Sequence, residues 1–538
     1  MSIIGMRNKM SKYLKGLVIA LAVAFAVGFI AMTIGPGRAV TGQGGRQETG
    51  VLAKVNGEKL LWKDYLDLLQ RQMQQYEMAG PIGPSMETQL RWKIFDQMVG
   101  EMMRVQAAKK EGVRVSGKDL RKKIDEYTDM QMKSLREQAL SGKKKKTDAV
   151  FAAQLAKIEP GMTIEKKRKQ IRKEMEAVSD QIRKSIMLEK LDKKIEDSVV
   201  VNDKALEESF DEAKLAQMTI ASTGKRSDEQ AKKRAEEIVA KLRKGDDFAA
   251  IAKLSSDDMY KAFGGVRGSV RRGHIEPELR EAAFKLKAGE ISDPIKTEQG
   301  YVILKSDGVV RNLPSDLGKK KKEYMDQFAT EQREMAKSDF YTKIRKELKL
   351  EIFDPELKAY AAFRDAYQNM MAMSETARKK EIEKVIKLYQ EALVGADDDT
   401  GLQARCNVQV AMLYGMLKSS PLFGVTAEEK GKYEKLAREA LDTALVYTED
   451  VGLRISAARA AIDAKDPESA KEHLQLASEN AYNEVQAHEQ IRDMYKEMKL
   501  SDLAAAEQKW IDDYNKEQGQ SGTGTVTTEP IRIPAGGE

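Results

Sequence analysis

The spacing of apolar residues divides this chain of 538 residues into stretches of different character. Residues 16–35, GLVIALAVAFAVGFIAMTIG, carry no charge. A helix crossing a bilayer's hydrocarbon core needs about 20 such residues, so the run predicts a single amino-terminal transmembrane helix. After a Gly-, Thr-, Gln- and Arg-rich stretch, alternation takes over. Val51, Ala53 and Val55 share one face of a strand, Asn56-Gly57 turns the chain, and Leu60-Leu61 returns. Helical spacing follows: Trp62, Tyr65, Leu66 and Leu69 on one helix, then Leu90, Ile94, Met98, Met102 and Val105 on a second. Val113-Arg114-Val115-Ser116 leads into a third with Leu120 and Ile124, and residues 127–199 continue as helix.

The stretch Ala231–Lys305 mixes the two periods. Ala235, Ile238, Val239 and Leu242 fall on one helical face that Gly245 ends, and Asp246 or Asp247 can cap a short helix burying Phe248, Ile251, Ala252 and Leu254. Gly264, Gly265 and Gly268 mark a turn where backbones come close. Leu279, Ala282, Ala283, Phe284 and Leu286 make another amphipathic turn or two, and Tyr301–Lys305 is a strand ended by Asp307-Gly308. Short helices and strands in this order predict a small α+β domain. Residues 314–350 read as one long charged helix, Leu348–Phe353 as a strand, and 355–515 as helix throughout. Within the last, DPESAKEHLQLA and SDLAAAEQKWID superpose with Ala470 over Ala505, close to the period of about 34 residues of helical-hairpin repeats. Repeat hairpins and an irregular bundle both remain open. The fold class is therefore multidomain and mainly α, with one α+β domain.

Charge narrows the function classes. The net charge of +7 is the small difference between 92 basic and 85 acidic side chains, with no aromatic-studded basic face, so nucleic acid is not an expected partner. A single cysteine, Cys406, and three scattered histidines, His274, His473 and His488, offer no transition-metal site. No phosphate-cradling glycine motif is present, and no cofactor is expected. Arg7, Lys9, Lys12 and Lys15 precede the apolar run without an acid, which predicts a cytoplasmic segment 1–15, an anchor 16–35 in the inner (cytoplasmic) membrane, and the rest in the periplasm or other extracytoplasmic space. A cleaved signal peptide is the rival reading. Residues 36–50 read as a linker and 517–538 as a disordered tail. The lysine run Lys143–Lys146 is either a solvated loop or a membrane-surface contact. Met130, Met132, Met162, Met175 and Met187 suit either ordinary core or an adaptable surface for unfolded chains.

The residues KLRKGDDFAAIAKLSSDD, the glycine pair, PELREAAFKLKAGEIS and GYVILK together resemble the parvulin-type peptidyl-prolyl isomerases (rotamases). The resemblance implies a parvulin domain over 212–310, in which a shallow apolar cup holds a proline peptide. Polar groups there, usually two histidines and a cysteine or aspartate, ease a twist whose barrier is about 18–20 kcal/mol. By the resemblance the acid falls on Asp257, which could equally be a turn former or cap. The first histidine falls on Thr219 or Met218, the second on Val302, and the apolar wall on Ile275 and Leu279, with Phe284 nearby. His274 is a second catalytic candidate. Both family imidazoles are missing, so isomerase activity is expected to be weak or absent.

VNGEKL, two helices and VRVSGKDL, followed by a parvulin block, resemble the SurA- and PpiD-type periplasmic foldases. That implies a SurA-like chaperone domain over 51–211, completed by a helix and strand at 311–354 that return beside the hairpin at Val51–Leu60. Residues 355–516 resemble tetratricopeptide repeats. The expectation is a membrane-anchored chaperone for unfolded exported polypeptides, with an envelope partner possible at the helical array. An active isomerase and an envelope assembly scaffold are its rivals.

Overall fold

The computed structural model describes residues 50–520 apart from 78–81, 143–145, 223–225 and 371–372. The segment 1–15, the apolar run 16–35, the linker up to residue 49, most of the lysine run and the tail from 521 lie outside the described residues. Among the described residues, no helix is long and apolar enough to cross a membrane.

The amino-terminal lobe opens with β1 (Val51–Val55) and β2 (Glu58–Leu61). Asn56 and Gly57 both take positive φ, 50° and 86°, the two-residue turn whose twist matches a hairpin. Then come α1 (Trp62–Glu77), α2 (Pro84–Lys110), α3 (Gly117–Ala139), α4 (Asp148–Ile158), α5 (Ile164–Ala177), α6 (Ser179–Asp197) and α7 (Asp203–Glu208). After the parvulin-like region, α11 (Lys321–Lys346) and β7 (Leu350–Ile352) return to this lobe. β7 pairs antiparallel with β1, Ala53 opposite Ile352, giving a sheet of order β2-β1-β7. Three short strands need a helix to be stable. Here α2 supplies it: Leu52, Val55 and Leu60 bury against Ile94, Phe95 and Val99. At its far end, Ala107 and Ala108 of α2 pack with Leu191 of α6 and with Phe340 and Ile344 of α11.

The inserted region holds β3 (Asp211–Ala221), α8 (Asp228–Arg243), α9 (Phe248–Ser255), β4 (Val266–Arg271), α10 (Pro277–Lys285), β5 (Ile295–Thr297) and β6 (Gly300–Arg311). Its antiparallel sheet has order β4-β3-β6-β5. β6 runs through Asp307-Gly308 rather than ending there. The register slips between Lys214 and Leu215, so the pair forms a bulge inside the strand instead of a turn. Side chains alternate across the sheet. Met218, Ile220 and Ile303 face α8 and α9, while Leu215, Val302 and Leu304 face α10.

The carboxy-terminal region is α12 (Pro355–Asn369), α13 (Glu375–Leu393), α14 (Thr400–Ser419), α15 (Ala427–Leu445), α16 (Val451–Asp463), α17 (Pro467–Asn480), α18 (Val485–Glu497) and α19 (Ser501–Gln520). It is tied to the first lobe by a buried ionic clamp. The Arg405 guanidinium makes a bidentate pair with Glu356 at 2.8 and 2.9 Å and donates to Glu87 of α2 at 2.9 Å. Arg91 donates to the same Glu87 oxygen. Two buried cations thus meet two carboxylates, which offsets the desolvation each would otherwise suffer.

Candidate functional site

The parvulin-like cup should lie where β3, β6 and the segment before α10 converge. Gly265 permits the approach. It sits at φ 84°, and a Cβ there would meet the Gln217 carbonyl at 2.7 Å. Thr219 stands directly across from Val302 on the paired strands. The Thr219 hydroxyl donates to Asp258 Oδ2 at 2.7 Å, and the Ser256 hydroxyl donates to Asp258 Oδ1 at 2.9 Å. Asp257, its neighbour, points elsewhere: it accepts from the Ala221 amide at 3.0 Å and from Arg226 at 2.6 Å, pinning the end of β3. The Asp257 amide meets the Thr219 carbonyl at 2.8 Å, but it is the Asp258 carboxylate, not that of Asp257, that meets the Thr219 hydroxyl. His274 is exposed in a short 3-10 turn. The other two histidines belong to the carboxy-terminal helices, His488 stacked on Trp510 with ring centroids 3.6 Å apart.

The wall residues do not line an open hollow. Ile275 is 4% exposed, Leu279 1% and Val302 3%, all within one cluster with Leu215, Ala283 and Leu304. Phe284 packs at its edge beneath the Arg272 guanidinium, 4.6 Å from the ring centroid. Arg267 completes the filling. It donates to Gln217 Oε1 and, at 2.9 Å, to Glu276, and its side chain is only 8% exposed. Gln217, Asp258 and Arg267 were not singled out from the sequence. The signal available was their order along the chain: Asp258 directly follows Asp257, and Arg267 comes two places after the glycine pair. Among the described residues, no group of three His, Cys, Asp or Glu side chains could hold a metal ion.

An open groove of mixed polar and apolar lining exists in the first lobe. It holds about 440 Å³ between β2 and α1 on one side and α2 and α6 on the other. Half-buried Leu68, Met98 and Met102 contribute its accessible apolar surface, above the buried Leu60 and Val105. Glu58, Asp64, Asp67 and Glu101 alternate at the rim with Lys59, Arg71, Lys109 and Lys184.

A parvulin-type sheet inserted between the parts of a hairpin-and-helix lobe defines a class: a foldase combining a rotamase domain with a chaperone domain. Comparison with known families agrees. Residues 214–308 match the PPIC-type PPIase domain, and residues 5–157 match the SurA-like N-terminal domain. The foldase protein PrsA of Caldanaerobacter subterraneus is 30% identical over 271 residues, covering 48% of this chain and 74% of that protein. The chaperone SurA of Pseudomonas syringae is 24% identical over 260 residues, covering 47% of this chain and 56% of SurA. The crystal structure of PrsA from Bacillus anthracis aligns at 23% identity and a TM-score of 0.23, covering 46% of this chain and 97% of that one. The chain belongs to the PrsA/SurA family of parvulin-containing chaperone foldases.

Proposed function

We propose that this foldase works by holding unfolded exported polypeptides and that its parvulin domain no longer catalyses proline isomerisation. The observation that carries this reading is the filled cup. Ile275, Leu279 and Val302 are withdrawn into the domain core, and Arg267 spans from Gln217 to Glu276. Catalysis needs a bound X–Pro bond and groups that act on it as it twists. Here the cup's apolar surface is spent on the protein's own packing, and threonine and valine stand where the family places imidazoles. The groove between β2 and α2 offers apolar surface that is still accessible. The charge-free run 16–35 and its basic flank support an anchor that holds the chain at the membrane's outer face. The helices from 355 onward, clamped at Arg405, extend the chaperone lobe as tetratricopeptide-like hairpins.

The test uses the full chain in two assays. Proline-peptide isomerisation should run at the uncatalysed rate, and aggregation of a chemically unfolded protein should be suppressed near equimolar chaperone. Catalysis that disappears in Asp258→Ala would overturn the loss of activity. Failure to suppress aggregation would overturn the holding role.

A further inference from the structure

The groove has a sheet edge along one wall, and we propose that a bound polypeptide joins this edge as an added β-strand on β2. The proposal rests on the holding function above and specifies the bound conformation. The order β2-β1-β7 leaves β2 outermost. In a hairpin with a two-residue turn, Val55–Glu58 and Ala53–Leu60 are the pairs that exchange hydrogen bonds. The peptide groups of Lys54 and Lys59 therefore point away from each other. Those of Lys54 are used by β7, where Lys54 lies opposite Glu351. Those of Lys59 face outward, and among the described residues no backbone or side-chain hydrogen bond to them is found. Glu58, Lys59 and Leu60 line the groove, so this unused edge runs beside its apolar surface.

The groove's chemistry selects the occupant. α2 spends Phe95, Val99, Met103 and Val105 on the protein's own packing and presents the half-buried Met98 and Met102 to the groove. Methionine side chains adapt to differently shaped partners. The rim carries four acids and four bases, so it favours neither sign and suits an uncharged segment. An extended segment with apolar residues at every second position meets both requirements: one row of side chains enters the groove, and the backbone bonds to Lys59. A second copy of the chain gains little at this edge. Antiparallel pairing of two copies of this edge about its outward peptide groups sets Lys59 opposite Lys59, a like-charge pair.

Binding of labelled peptides to the full chain, read by fluorescence anisotropy, tests this. The probes are an uncharged peptide of alternating apolar and polar residues, the same peptide N-methylated on its strand-pairing edge, and a peptide of equal composition with helical spacing. The alternating peptide should bind roughly tenfold more tightly than either control, as loss of one or two hydrogen bonds implies. Lys59→Pro removes an outward donor without touching the hairpin ladder. It should weaken that peptide roughly five- to tenfold with the thermal midpoint unchanged. Met102→Asp should weaken it as well. Equal binding of the N-methylated peptide overturns strand addition, and this arm stands even if Lys59→Pro misfolds. A folded Lys59→Pro that binds normally overturns it too, as does one that only converts a dimer to a monomer in sedimentation. Any of these results alongside intact suppression of aggregation leaves the holding function standing. Absence of suppression in the unaltered chain removes both.

Discussion

The parvulin-like cup and the amino-terminal groove are both built where a short sheet meets a helix, yet they end differently. In the cup, Leu279 of α10 and Val302 of β6 close on each other, and an arginine bridges Gln217 and Glu276. In the groove, the methionines of α2 stay accessible opposite β2. The two surfaces therefore differ in what they can exchange with a partner. Opening the cup would break packing and leave Gln217 and Arg267 without their hydrogen bonds. The groove's half-buried Leu68, Met98 and Met102 still have apolar surface to bury. Apolar burial stabilises by about 25 cal/mol per Å² wherever it happens, and the cup has already taken that gain on folding.

If the two regions work separately, the inserted domain can be damaged without loss of holding. Gly300 offers the hardest blow. At φ 140° a Cβ would meet the Ile220 carbonyl at 2.2 Å and the Ser222 amide nitrogen at 2.7 Å, and both obstacles are backbone. Gly300→Ala should cost the inserted domain about 3 kcal/mol or more, the sum of a strained φ and an overpacked strand. Calorimetry should show its transition lowered or lost, while the groove's peptide binding and aggregation suppression persist. If holding vanishes with the domain, the separation between cup and groove is wrong.

A smaller effect distinguishes the adjacent acids. Asp257→Ala removes the acceptor for the Ala221 amide and the partner of Arg226. It should destabilise the inserted domain by roughly 1–3 kcal/mol, the scale for a partly buried group left unpaired. Hydrogen exchange at the end of β3 should rise, and the isomerisation rate should not change. A change in that rate would return Asp257 to the catalytic role that the family resemblance suggested.

Much of the fold could be read from the order of residues. Asn56-Gly57 specified its hairpin, the stripe from Leu90 to Val105 specified α2, and Leu348–Phe353 was recognisable as a strand. Local pattern carried less about the cup. Asp257 and Asp258 are both half-buried neighbours, and only the tertiary path decides which carboxyl turns toward Thr219. Arg267 resembles a surface charge in the sequence; its burial depends on Gln217, 50 positions away along the chain, and on Glu276. Asp307-Gly308 carries the chemistry of a turn, but pairing with β3 absorbs it as a bulge. The groove was invisible for a related reason: the methionines of α2 fit the same helical stripe whether they are covered or open.

The smallest expected effect lies at the seam joining the two regions. α10 docks on α11 through Arg280 and Asp339 at 2.6 Å, and Lys346 pairs with Glu278 and, at 3.4 Å, with Glu298. Partial burial pushes the Glu278 carboxyl up, but the hydrogen bond from Lys346 and the charges of Lys346 and Arg280 outweigh it. The net result holds that carboxyl below its ordinary value of 4.5. A carboxyl held low in the folded state contributes its full stabilisation above that ordinary value and loses it as pH falls through the lowered one. The seam should therefore loosen as pH falls below 4.5 and through the lowered value, and with added salt, which screens exposed pairs. Each such pair contributes no more than about 1 kcal/mol, so the inserted domain should shift against α11 without unfolding. Hydrogen exchange along α10 and α11 reads this directly, and Glu278→Gln should remove most of its pH dependence. If peptide affinity in the groove follows the same pH curve, the seam transmits the state of one region to the other, and their independence fails.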